Sequence, residues 1–271
     1  MVDICEDFAG KHNLKFSTNP NVEKSKTKCI IFSRKVRDRL HVAPIMLNAT
    51  PLPWVEKLKH LGNIVQCENN MELDVGIKRA KFIGKIHSLN QDLHFCCPQL
   101  LIKLYNIYCC SFYGSNLFDL FSSTLERLYR SWNIAVRIAF KLPYTTHRFL
   151  IEPVSRSLHP KVMLCSRFVR YLNSCLTSSK QIVSFLANFT QSDLRTPFGR
   201  NVHGITVSCN SSVSSLSPGL VKSKMKYAAI PEEQEWRTSL ILEMLDAKLD
   251  KVDVPLSSVE IEEILAHACT S

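Results

Sequence analysis

Paired carboxylates that hold divalent metals, thiolate and imidazole clusters that hold zinc, and nucleophiles set beside a base are the usual side-chain chemistry of a chain this long. This sequence is poor in all three. No two aspartates are adjacent anywhere in its 271 residues. Asp250 and Asp253 read as a solvated acidic face rather than a metal site. Cys96-Cys97 and Cys109-Cys110, with His94 nearby, carry ligands that zinc prefers. However, no C-x-x-C spacing occurs, and neighbouring cysteines on a helix point about 100° apart. No serine or cysteine stands in a recognisable nucleophile elbow or dyad. The expectation is a chain with no catalytic residue, no metal and no cofactor.

Charge is the chemistry that remains. Residues 1–230 carry 31 basic and 14 acidic side chains, while 231–271 carry 3 and 10. A basic body is followed by an acidic segment. Between residues 76 and 170 there are fourteen basic residues against four acidic ones, the footprint of a protein that meets phosphate. Each Lys or Arg seated on a phosphate releases condensed counterions. The candidate nucleic-acid contacts are Lys78, Arg79, Lys81, Lys85, Arg127, Arg130 and Arg137. Tyr105, Tyr108, Tyr129 and Trp132 are interleaved with them, but their helical spacing reads as core packing rather than base stacking.

These cations must be positioned by regular elements. Ile4, Cys5, Phe8 and His12 recur at helical spacing near the start. A basic run, 24–28, leads into the compact apolar stretch 29–32, which reads as a buried strand. Short strands are expected at 45–47, 52–55 and 58–65, the last with Gly62 inside it and the first followed by a turn around Asn48, Ala49 and Thr50. From Asn70 the period changes to 3.6 and stays helical to about Thr190. Leu73, Ile77, Ala80, Phe82, Ile83 and Ile86 form the apolar side of the first of these helices. Leu101, Leu104, Tyr105, Tyr108 and Phe112 follow behind Pro98. Ser122 or Ser123 is placed to cap a helix with Leu125, Leu128, Trp132, Val136 and Phe140 inside, and Leu164, Cys165, Phe168, Leu172 and Cys175 mark another. Residues 199–219 are rich in Ser, Asn and Gly and read as a linker or loop. The segments 232–249 and 259–266 read as acidic amphipathic helices, the first with Trp236, Leu240 and Leu245 on its apolar side. The architecture expected is α+β: a small antiparallel sheet, then a mainly helical region, then an acidic helical tail. Its segments are 1–68, 69–198, a linker at 199–230, and 231–271.

In order and spacing, several blocks resemble the reverse transcriptase of non-LTR retrotransposons. Phe8-Ala9, Leu14-Lys15-Phe16, Lys24-Ser25-Lys26 and Cys29-Ile30-Ile31-Phe32 are similar to the segment after the family's catalytic aspartates. Leu58-Lys59-His60-Leu61-Gly62 resembles the hairpin called the primer grip. The stretch from Tyr113 through Gly114, Ser115 and Asn116 to Leu120, then Trp132-Asn133, then Leu142-Pro143-Tyr144 to His147, are similar to later blocks of the thumb and connection. The resemblance covers about residues 1–190 and implies a palm edge packed on a thumb, with His60, Leu61 and Gly62 as primer-grip-like residues. Ala49 stands where the family often has glycine. The family's Asp-Asp pair, which would precede the first helix, is not in this sequence, and neither are the upstream segments that would bind the incoming nucleotide.

Together these readings lead to the expectation of a catalytically incompetent reverse-transcriptase-like fragment, not an enzyme, with residual non-specific and salt-sensitive affinity for RNA or DNA. The alternatives are a protein-interaction module, or one piece of a split RNA-directed DNA polymerase whose missing palm is supplied in trans. Eleven cysteines and an opening without an n-region or h-region suggest a reducing, intracellular setting, nucleus or cytoplasm. No stretch reaches the roughly 18 apolar residues of a membrane span, so no membrane partner is expected.

Overall fold

The computed structural model describes residues 2–19, 21–33, 42–68 and 71–225, and it is mixed α+β: two small antiparallel hairpins precede a series of helices. Two compact units meet at Gly76, Met1–Gly76 and Ile77–Ser271. That point lies inside a helix, beyond the 68/69 boundary expected from the change of period. The reason is that the first helical turn is tied to the sheet: the Asp74 carboxylate accepts from the Ile64 N–H at 3.0 Å.

In the first unit, α1 (Val2–Lys11) lies against the hairpin of β1 (Met46–Leu47) and β2 (Thr50–Pro51), where the Glu6 carboxylate accepts from the Asn48 N–H. Of the helix only Ala9 is buried, so Ile4 and Phe8 on the expected apolar side are exposed. Asn48 and Ala49 both have positive φ, 48° and 56°, as a two-residue hairpin turn requires. The alanine is held in the left-handed region where glycine would sit without strain. A second hairpin joins β3 (Lys57–His60) to β4 (Asn63–Gln66). The single strand expected at 58–65 is therefore corrected. Leu61 and Gly62, with φ 46° and 83°, turn the chain back on itself.

The segment 29–32 is not the buried strand expected. Cys29 forms one parallel bridge with Trp54, and the Ser33 N–H reaches the Cys67 carbonyl at 3.1 Å. A path that crosses from one hairpin to the end of the other pairs a single residue at each, which leaves Phe32 exposed. It also leaves the hairpins as two separate sheets, so 29–32 and 58–65 do not share one.

The second unit continues α2 (Glu72–Asp92) into α3 (Pro98–Leu104), a π turn over Tyr105–Cys109 and a 3-10 turn at Ser115–Leu117. It then runs through α4 (Ser123–Ala139), α5 (Arg148–Ser155), α6 (Pro160–Leu176), α7 (Gln181–Thr190), α8 (Pro197–Cys209) and α9 (Pro218–Met225). The Ser122 hydroxyl caps α4 by accepting from the Leu125 N–H at 3.4 Å. All five apolar positions expected inside this helix and at its end are buried, Leu125, Leu128, Trp132, Val136 and Phe140. The Phe82 ring of α2 packs near Trp132, at 6.5 Å, and Phe112, at 5.6 Å. This contact sets the phase of α2: Val75, Phe82 and Ile86 are buried, while Leu73, Ile77 and Ala80 are exposed. The π turn shifts the next stripe in the same way. One extra residue in the turn, closed by Cys110 N–H to Tyr105 O at 3.1 Å, buries Tyr105, Cys109, Cys110 and Phe112 and turns Tyr108 outward.

The expected linker is corrected most fully. Within 199–230, residues up to Cys209 belong to α8, and α9 packs on α6 and α8. Val202, Ile205, Cys209, Leu216, Val221 and Met225 are buried. The polar and small residues that suggested a linker are packing devices. A Cβ on Gly199 would lie 2.2 Å from the Asp193 carbonyl oxygen, and one on Gly204 would lie 2.6 Å from the Phe121 ring. Asn201 is 0% exposed. Its side chain accepts from the Leu120 N–H at 2.7 Å and donates to the Phe118 carbonyl at 2.6 Å. The two acidic helices expected at 232–249 and 259–266 lie outside the described residues. Asn201→Ala would leave two buried backbone groups unpaired, so the expected outcome is a loss of roughly 2–4 kcal/mol of stability, read from the urea midpoint at unchanged slope.

Candidate nucleic-acid interface

The seven cations singled out from the sequence do not share one role. On α2, Lys78 is half-buried with its Nζ 4.8 Å from the centre of the Phe118 ring, a cation–π geometry. Arg79 is half-buried too, and its Nε donates to the Ser131 hydroxyl at 2.8 Å, which in turn donates to the Arg127 carbonyl at 3.0 Å. Lys85 Nζ donates to the Tyr108 carbonyl at 2.9 Å. Arg137 on α4 donates to the Thr146 carbonyl at 2.8 Å, holding the 143–146 turn, and burial draws its pKa below the ordinary guanidinium value. These four side chains are at work on the protein's own backbone and rings. Lys81 on α2 and Arg127 and Arg130 on α4 are exposed. The two helices are fixed to one another by the Arg79–Ser131 bond and the Phe82–Trp132 contact.

His60, Leu61 and Gly62 form the tip of the second hairpin. His60 ends β3 opposite Asn63, and all three residues are exposed, Leu61 at 72%. A prominent tip with a left-handed Gly62 is compatible with close approach of a second backbone, and equally it is what a two-residue hairpin turn requires.

A cleft of about 450 Å³ opens between the 111–116 loop and α6. Tyr113, Asn116, Arg167, Arg170, Tyr171 and Ser174 are among its lining residues, and none of the ten that line it is acidic. Two backbone irregularities shape the loop: Phe112 has φ 37° although buried, and Gly114 has φ 75°. Arg167 fastens the loop to α6, donating to the carbonyls of Ser111 at 2.7 Å and Cys110 at 3.3 Å. Arg167 and Arg170 are two of the fourteen basic residues between 76 and 170, but nothing in their spacing brings them to this loop. The available signal was a glycine between Tyr113 and Ser115, directly after an apolar helix end.

Cys109, Cys110 and His159 are buried in the packing of the helical unit. Burial pushes the Cys110 thiol up to about 12, helped by the neighbouring Cys109, and raises Cys109 as well. Neither is poised as a thiolate ligand or nucleophile. Among the described residues, no three His, Cys, Asp or Glu side chains gather as a metal site. His159 caps α6, its Nδ1 accepting from the Lys161 N–H at 3.2 Å, and its ring lies edge-on to Tyr129. Burial, with Arg148 and Lys161 nearby, lowers its pKa to about 3.

Compared with protein families, curated proteins and solved structures, the chain finds no match: no family model, no curated protein and no solved structure. Among the described residues no helix is long and apolar enough to cross a membrane.

The His159 environment sets a pH dependence. The unfolded chain binds this proton below its ordinary pKa near 6.5 whereas the folded chain resists it down to about 3. The resulting stability is therefore full above pH 6.5 and is lost progressively as pH falls towards 3. Denaturation midpoints measured between pH 4 and 7 should fall with acid in the native chain. His159→Asn, which keeps a cap acceptor without a titrating group, should flatten that slope.

Proposed function

We propose that this chain is a reverse-transcriptase-like palm-edge and thumb segment that does not polymerise and that binds RNA or DNA non-specifically through its helical unit. The observation that carries this reading is uncompensated charge. Residues 77–225 contain nineteen basic and five acidic side chains. Three of those acids, Asp119, Glu126 and Asp193, are ion-paired with Arg200, Arg148 and Arg195. Lys81, Lys103, Arg130, Lys141, Arg170 and Lys180 remain exposed on helices α2 to α6, their termini and the ends of the loops between them. Such a surface attracts polyphosphate and releases its counterions. The sequence contributes the second half of the reading: phosphoryl transfer on a nucleic acid needs carboxylates that hold two metal ions about 4 Å apart, and no adjacent aspartates occur. A palm supplied in trans would be the remaining route to activity.

A second reading, a protein-interaction module, is favoured by α7. This helix has no charged residue, buries only Ala187, and exposes Ile182, Phe185, Leu186 and Phe189. The occupant it fits is an apolar stretch set among acidic residues, and within this same chain the sequence 232–249 carries Trp236, Leu240 and Leu245 among acidic side chains.

The tests separate the two readings. With Mg²⁺ or Mn²⁺ the purified chain should extend no primer above a no-protein control. Its affinity for RNA should fall steeply with salt, and Lys81→Glu, Arg127→Glu and Arg130→Glu together should flatten that dependence by about one unit of slope for each phosphate that is no longer neutralised. Deleting 231–271 should tighten binding, because its ten carboxylates compete for the same cations. Negligible RNA binding with or without that segment, together with self-association of the truncated chain through the bared α7, would instead establish the interaction module.

A further inference from the structure

We propose that the cleft between the 111–116 loop and α6 binds one nucleotide of single-stranded nucleic acid, its phosphate on Arg170 and Arg167 and its base stacked on Tyr113. The proposal rests on the nucleic-acid reading above and assigns it a defined site.

Four observations converge on this cleft. Its volume of about 450 Å³ is that of a small-ligand pocket, large enough for a nucleotide. Its charge has one sign, since it is lined by two arginines and no acid. Arg167 and Arg170 stand three residues apart on α6, so they share a face, and Ser174 follows one turn later with a hydroxyl donor. Arg167 is held in place by the Cys110 and Ser111 carbonyls, so it is fixed before any ligand arrives, whereas Arg170 is exposed and able to close on a phosphate. A guanidinium fork suits phosphate oxygens better than a point charge does.

The aromatic side chain supplies the rest. Tyr113 is 64% exposed at the edge of a concave site, although large aromatic residues nearby such as Phe112 and Phe118 are buried. Its position is set by the left-handed Gly114 on one side and by the strained, left-handed Phe112 on the other. A left-handed backbone is strained for a residue with a side chain such as Phe112, and such strain clusters at ligand-binding sites. The π turn that ends at Cys109 immediately precedes the loop, a second irregularity of the kind frequent at functional sites. A face of this kind accepts any base, and the base must be unstacked to reach it, which selects single strands over duplexes. Tyr171 is engaged with Phe168 and Phe198 and acts as wall rather than platform.

The experiment titrates the full chain into a fluorescent oligouridylate and a matched abasic oligomer, with Arg170→Ala, Tyr113→Ala and, as an exposed cation outside the cleft, Lys222→Ala. Arg170 and Tyr113 are exposed, so unchanged thermal melting is expected and is checked. Arg170→Ala should weaken both oligomers and lower the salt slope by about one unit. Tyr113→Ala should weaken oligouridylate about tenfold and leave the abasic oligomer unaffected. Inorganic phosphate, as a competitor, should displace oligouridylate only at high concentration. If the oligomers bind but both cleft variants behave like Lys222→Ala, the cleft assignment is overturned while the wider nucleic-acid reading stands. If inorganic phosphate binds at Arg170 and neither oligomer does, the site serves a small phosphate and both fall.

Discussion

The helical unit depends on the burial of α4. Leu125, Leu128, Trp132 and Val136 line one side of this helix and are withdrawn almost completely from water. At about 1.5–3 kcal/mol for each such side chain, this burial, with that of Val162, Leu164, Phe168, Val169 and Leu172 on α6, supplies much of the unit's apolar core. Other features take their positions from it. Trp132 sets the rotation of α2 through Phe82, and Tyr129 donates to the Leu120 carbonyl at 3.0 Å, anchoring the 118–122 approach to the helix. The same approach is braced from α8 by Asn201. The loop that forms the cleft ends at this braced segment, so its geometry is inherited from the core.

Packing also divides the basic residues into two populations. Lys78, Arg79, Lys85, Arg137 and Arg167 lie close enough to α4, the 118–122 segment, the π turn and the residues just after it, or the 143–146 turn to satisfy backbone carbonyls, a hydroxyl and a ring. They carry charge, but their hydrogen-bonding capacity is partly spent on the fold. The exposed cations, Lys81, Arg130 and Arg170 among them, hold the part of the charge that solvent and phosphate can reach. Counting lysines and arginines along a sequence overstates the interface for this reason, because a long side chain with a charged head serves as readily to cap a carbonyl as to meet a ligand.

Elements governed by local periodicity were legible in the sequence. The α4 stripe, its Ser122 cap and the apolar side of α6 follow from spacing alone. What was not legible depended on partners distant in the chain. The rotation of α2 is decided by Trp132, and the outward turn of Tyr108 by one extra residue in a π turn. The 199–230 stretch reads as a linker because its glycines and asparagine look like flexibility, yet Gly199 and Gly204 are small to admit a carbonyl and a ring, and Asn201 is polar to satisfy two buried backbone groups. Of the candidate site, the sequence supplied the charge but not the meeting of Arg170 with Tyr113, which are separated by more than fifty positions in the chain.

The most direct measurement is photocrosslinking of the full chain to a single-stranded RNA bearing photoreactive uridines at low salt, with the attached peptides identified by mass spectrometry. The account predicts adducts on peptides that contain Tyr113 and on the exposed faces of α2 and α4. Adducts confined to residues 1–76, or none at all under conditions where a control RNA-binding protein is labelled, would contradict it.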